Sequence, residues 1–256
     1  MFVFPHQPTV FPTWRLSLAA CVLLLVLLLA GCARYPSQHG IVTAAPKTMV
    51  AEAWVRGKVD PNLFYFLVID TDGDTTTGPV PVVTGQEYSN GLFILSPTPP
   101  GQTIKQPAFY VEYSRRTAGG FQQFRLNPTT NTYDALGQPI NGDITRDGAG
   151  LRVEIDLSLL GTPSPSNLQL NWITMESDDP DTIISGKIKS YDGLGPQGND
   201  YLSIPRLDVT NTWTSGANGV PDELAYGTPY PDGRFESTTN NAAIDLIGWS
   251  VAIFIS

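Results

Sequence analysis

Histidine and cysteine are nearly absent from this 256-residue chain. It has two of each, His6 and His39, Cys21 and Cys32, so the sequence from Gly40 to Ser256 is free of both. That stretch therefore holds no Ser-His-Asp or Cys-His nucleophile, no His- or Cys-ligated zinc and no thiol redox pair. Basic residues are also sparse, with 15 Lys+Arg against 24 Asp+Glu and a formal net charge of −9. No nucleic-acid partner is expected, because such binders carry a basic footprint. Long uninterrupted helical stretches are missing as well. The 24 Gly and 22 Pro punctuate the chain throughout, and Pro breaks a helix interior while Gly costs about 1 kcal/mol there relative to Ala. The chemistry that remains is that of carboxylates, oxygen-ligated cations and binding surfaces.

One long apolar run is present, at residues 16–31, preceded by Trp14 and Arg15 and ending in Leu29-Ala30-Gly31-Cys32. It is shorter than the ~20 residues of a comfortable membrane span and has the small-residue ending of a signal-peptide hydrophobic region. Leu29-Ala30-Gly31-Cys32 resembles the bacterial lipobox, the site at which lipoprotein precursors are cleaved before the cysteine. The resemblance implies a signal peptide over 1–31, an acylated Cys32, and an exported chain lipid-anchored to a bacterial membrane. The alternative is an uncleaved single-pass anchor with an unmodified Cys32. Arg15 is the only charged residue in 1–31, so the chain from Cys32 onward is acidic. It is not drawn to anionic headgroups, and the acyl group must hold it at the membrane. Residues 32–47, polar and small with no clear period, read as a tether.

From residue 48 to 256 the pattern is strands and turns, with no composition break that marks a second domain. Leu151, Val153, Ile155 and Leu157 alternate with Arg152, Glu154 and Asp156, the period of a strand with one buried and one wet face. Phe109, Val111 and Tyr113 alternate in the same way with Tyr110 and Glu112. Residues 63–69 are apolar on both faces and predict a central strand; residues 244–255 are similar, with Gly248 as a bulge or close-packing point. Further strands are expected over 50–58, 92–95, 121–126, 168–175 and 201–204. Many short strands between Gly, Pro, Asn and Asp turns predict an all-β fold, a single antiparallel β-sandwich of jelly-roll-like type.

The clearest chemical signal comes just after the central strand: Asp70-Thr71-Asp72-Gly73-Asp74. Carboxylates at i, i+2 and i+4 around a glycine can converge on one hard cation, and Ca²⁺ accepts six to eight oxygens. Thr75 stands where an EF-hand loop needs glycine and Pro81 where it needs the bidentate glutamate, so this is no EF-hand. Two readings stay open, a calcium loop and a polar turn with solvated carboxylates.

The run 64–74, then Thr77-Gly78, Gly85-Gln86-Glu87-Tyr88 and the segment 150–161 resemble β-sandwich modules related to family 9 carbohydrate-binding modules, glucodextranase C-terminal domains and DOMON domains. The resemblance implies a binding or accessory module with Glu87 joining Asp70, Asp72 and Asp74 at a metal. It implies no haem here, because haem-binding DOMON relatives use a Met and His pair and this chain has no histidine after His39.

Weaker signals complete the reading. Asp178, Asp179 and Asp181 form either a second cation site or a solvated loop. Trp213, Tyr226 and Tyr230, in Pro- and Gly-rich surroundings, are candidates for a saccharide-stacking surface, while Trp249 in its apolar strand reads as core. Glu154 and Asp156 share one strand face, which keeps a carboxylate-based glycan-acting enzyme in view. The leading expectation is a non-enzymatic, calcium-binding module with a saccharide or envelope-protein partner; a purely structural envelope lipoprotein is the third.

Overall fold

The computed structural model describes residues 47–74, 78–80, 94–96, 107–118, 120–161, 165, 167–176, 190–196, 198, 200–205, 207–216 and 240–255. All of them belong to the unit Ala45–Ser256. Its strands begin with β1 (Lys47–Val55), β2 (Phe64–Asp70), β3 (Gly78–Val80), β4 (Ile94–Ser96) and β5 (Phe109–Ser114). They continue with β6 (Phe121–Asn127), β7 (Thr132–Gly137), β8 (Asn141–Ile144), β9 (Gly150–Asp156) and β10 (Leu168–Glu176). The last four are β11 (Ser190–Gly193), β12 (Leu202–Ile204), β13 (Asn211–Thr214) and β14 (Leu246–Ile255). The helical content among the described residues is two short 3₁₀ turns, Arg115–Thr117 and Leu157–Leu160, and no helix there is long and apolar enough to cross a membrane.

Twelve of the described strands form two antiparallel sheets packed face to face, an all-β sandwich, and β3 pairs with β4 in a separate ribbon. The first has the order β13-β14-β1-β9-β8; the second has the order β11-β10-β2-β5-β6-β7, with β12 also paired to β10. Alternation builds the core between them. Met49, Ala51, Ala53 and Val55 of β1 and Leu151, Val153 and Ile155 of β9 face inward and meet Tyr65, Leu67 and Ile69 of β2 and Leu168, Leu170 and Trp172 of β10. Trp249 lies in this core as expected, 1% exposed. At β14 the register against β1 slips after Trp54, which pairs with Gly248 while Val55 pairs with Leu246. The extra residue is Ile247, next to the glycine expected to mark a bulge.

The second sheet is covered on its outer face too. Phe64, Phe66, Val68, Tyr110, Ile173 and Met175 make a separate buried cluster there, with Phe124 and Tyr133 packed against it. β2 is accordingly buried at every position, the central strand expected over 63–69. β5 departs from expectation. Tyr110 and Glu112, read as a wet face, are both buried. The Glu112 carboxylate tolerates this because Ser114 Oγ donates to it at 2.6 Å and Arg116 donates from Nε and Nη2 at 3.0 and 2.7 Å. Part of the cover over this outer face is the β3–β4 ribbon. Asn171 anchors it by donating from Nδ2 to the Pro79 carbonyl at 2.9 Å. A side chain at Gly78 would collide with the Tyr201 ring, so only glycine allows that close approach.

Candidate functional site

The Asp70 turn sits where β2 leaves the sheet on its covered outer face. Ile69 points into the main core, so Asp70, next along the strand, points the other way, and its side chain is only 3% exposed. The chain then turns sharply. Asp70 Oδ1 accepts the Asp72 N–H at 3.2 Å and Asp72 Oδ1 accepts the Asp74 N–H at 2.7 Å, two successive side-chain-to-backbone turns across Gly73, which holds a positive φ of 84°. Asp72 and Asp74 are exposed. Among the described residues, no group of three or more acidic, histidine or cysteine side chains stands close enough to enclose a metal ion. Glu87, the fourth expected ligand, lies outside the described residues.

The strand beside β2 places a second buried polar side chain next to the turn. Gln169 of β10 is the direct cross-strand partner of Asp70, so both side chains rise from the same face with Cβ atoms about 5 Å apart. Gln169 is 0% exposed, and among the described residues neither its amide oxygen nor its amide nitrogen has a hydrogen-bond partner. Its neighbour on that face, Asn171, shows that the environment can satisfy an amide. Asn171 Nδ2 donates to the Pro79 and Asp200 carbonyls, both at 2.9 Å, and Oδ1 accepts the Leu194 N–H at 2.9 Å. Buried polar groups are ordinarily paired. A buried carboxylate beside an orphaned amide oxygen is a donor set suited to a hard, oxygen-ligated cation, and in this respect the residues fit calcium.

The site's surroundings are electrostatically consistent. Burial raises the Tyr133 phenol well above its ordinary range, with Tyr110 and the Asp70 charge adding to the rise. Burial likewise raises Tyr201, helped by Asp74 and Asp200, and raises the Asp200 carboxyl itself. These phenols stay neutral at physiological pH and offer no counter-charge to the acids of the turn.

The other expected positions divide. Cys32, Tyr226, Tyr230, Asp178, Asp179 and Asp181 lie outside the described residues. Trp213 is in β13 rather than a loop, opposite Val251, half-buried and packed against the main core. Glu154 and Asp156 do share the outer face of β9; across that face Glu52 accepts from Arg152 at 3.1 Å and from Ser250 Oγ at 3.1 Å. A residue that sequence reasoning missed, Trp54, also lies on this face. It pairs with Gly150 on one side and Gly248 on the other, and its half-buried indole extends over both glycines. The signal available in the sequence was three separate residues that only sheet register brings together. Gln169 had a local signal, because Leu168-Gln169-Leu170-Asn171-Trp172 alternates amides with large apolar residues in a strand buried on both faces.

Comparison with known protein families, with curated proteins and with solved structures finds no match to this chain.

Proposed function

We propose that this chain is an exported, lipid-anchored β-sandwich that binds calcium at the Asp70 turn and serves as a non-catalytic binding or accessory module on the bacterial envelope. The observation that carries the proposal is Asp70, a carboxylate buried at the end of a fully buried strand, leading directly into two further carboxylates. Burying a charged group is costly, and a bound cation offsets that cost. Anchoring rests on the apolar run before Cys32, and kinship with carbohydrate-binding and DOMON-like modules rests on the short motifs that resemble theirs. A saccharide ligand, on this reading, stacks on an aromatic of the outer sheet face; among the described residues the half-buried Trp54, lying over Gly150 and Gly248, is the support we propose for one.

The test is a melt of the full chain with calcium and with chelator. Extracellular modules commonly bind with Kd of about 10⁻⁴ to 10⁻³ M, so 1 mM calcium adds roughly 0.4 to 1.4 kcal/mol, a rise in Tm of roughly 1 to 5 °C. Chelator reverses the rise and Asp70→Asn removes it. A wild-type Tm indifferent to several millimolar calcium leaves only the solvated turn.

A further inference from the structure

We infer that Gln169 is a ligand of the cation held at the Asp70 turn, supplying its amide Oε1 as a neutral inner oxygen opposite the Asp70 carboxylate. The inference rests on the calcium reading of that turn and extends it to a strand remote in sequence. Three facts carry it: the cross-strand pairing of Gln169 with Asp70, the complete burial of Gln169, and the absence, among the described residues, of a partner for either atom of its amide. The fully bonded Asn171 two residues along the same face rules out a general shortage of partners there.

The choice of residue type is explained by the ion-free state. A second carboxylate directly opposite Asp70 would repel it whenever the ion was absent. An amide contributes an oxygen of the kind Ca²⁺ accepts without adding that repulsion. With Gln169 and Asp70 fixed by the sheet, the exposed Asp72 and Asp74 are the adaptable acids that close on the ion from the solvent side. Rigid inner ligands and exposed outer ones give a weak, exchangeable site.

The experiment compares wild type, Gln169→Leu, Gln169→Glu and Asp72→Ala as full chains, following Tm with and without calcium and the calcium Kd by titration. Gln169→Leu is expected to melt at or above wild type in chelator, because it removes a buried unpaired amide, yet to lose at least tenfold in calcium affinity and its Tm shift. Gln169→Glu is expected to melt lower than wild type in chelator and to bind calcium about tenfold more tightly. A wild-type calcium response in Gln169→Leu, with the response lost in Asp72→Ala, overturns the ligand assignment and leaves the turn as the whole site. The amide would then hold only a buried water. Should Gln169→Leu fail to fold, an unchanged calcium Kd in Gln169→Glu overturns the assignment by itself. No response in wild type overturns the calcium reading and the assignment together.

Discussion

Glu112 and Arg116 show how one residue can control a face of this molecule. Glu112 is 1% exposed beside the aromatic outer cluster, and Arg116 covers its carboxylate while its guanidinium also lies 5.3 Å from the Phe64 ring centre. Removing the guanidinium leaves a buried charge with the Ser114 hydroxyl and the capping turn beside it. Arg116→Ala is therefore expected to cost about 3 kcal/mol in denaturant unfolding. The double variant Arg116→Ala, Glu112→Met should recover much of that loss, because an apolar side chain suits the neighbouring Phe66 and Tyr110. A double variant no more stable than the single one would show that the carboxylate serves a role beyond charge pairing. Little of this was legible in the sequence. The alternation at 109–113 assigned Glu112 to water, since the period reports which residues share a face but not whether that face is covered. Asp70, by contrast, was legible, because its partners in the turn are its own sequence neighbours. Gln169 stood out locally only as an amide in an apolar strand; its pairing with Asp70 becomes visible only through register.

Among the elements, β2 joins both cores and carries the phenol most directly tied to the opposite sheet. The Tyr65 hydroxyl donates to the Ala243 carbonyl at 2.8 Å, just before β14, and accepts the Asp60 N–H at 2.9 Å. Burial raises Tyr65, Tyr110 and Tyr133 well above the ordinary phenol range. A group raised in the folded state leaves stability unaffected below its unfolded pKa, about 10 for tyrosine. Above that pH the unfolded chain releases protons that the folded chain retains, so stability falls as pH rises. The 295 nm absorbance of these phenols should thus appear together with unfolding in an alkaline titration followed by circular dichroism. Their ionisation in a chain that keeps its β signal would contradict the burial described here. The strongly apolar strands β2, β5, β9, β10 and β14 could be read from sequence because each carries a row of large side chains into a core. β7, β8 and β13 could not. They are short and largely polar or exposed, and pairing with a neighbour, rather than any period of their own, makes them strands. The short β11 likewise gains its place from pairing with β10.

At the scale of the whole molecule, we propose a lipid-anchored chain whose sandwich binds calcium. Replacing Cys32 by Ala should abolish fatty-acid labelling and move the protein out of the processed membrane fraction. Retention there as a processed, lipid-labelled protein would refute the lipobox reading. The sandwich itself could be read from the sequence because alternation and turn residues are distributed along its length. The makeup of its sheet faces could not, since a face is assembled from residues that only register brings together, as Trp54, Gly150 and Gly248 are. The central claim is that this fold holds a calcium ion at Asp70, and direct titration of calcium into chelator-treated full chain tests it most directly. Saturable binding at one site is predicted, with Kd of about 10⁻⁴ to 10⁻³ M, abolished by Asp70→Asn. Wild-type protein that takes up no calcium at several millimolar, or an Asp70→Asn variant that binds as wild type does, would contradict it.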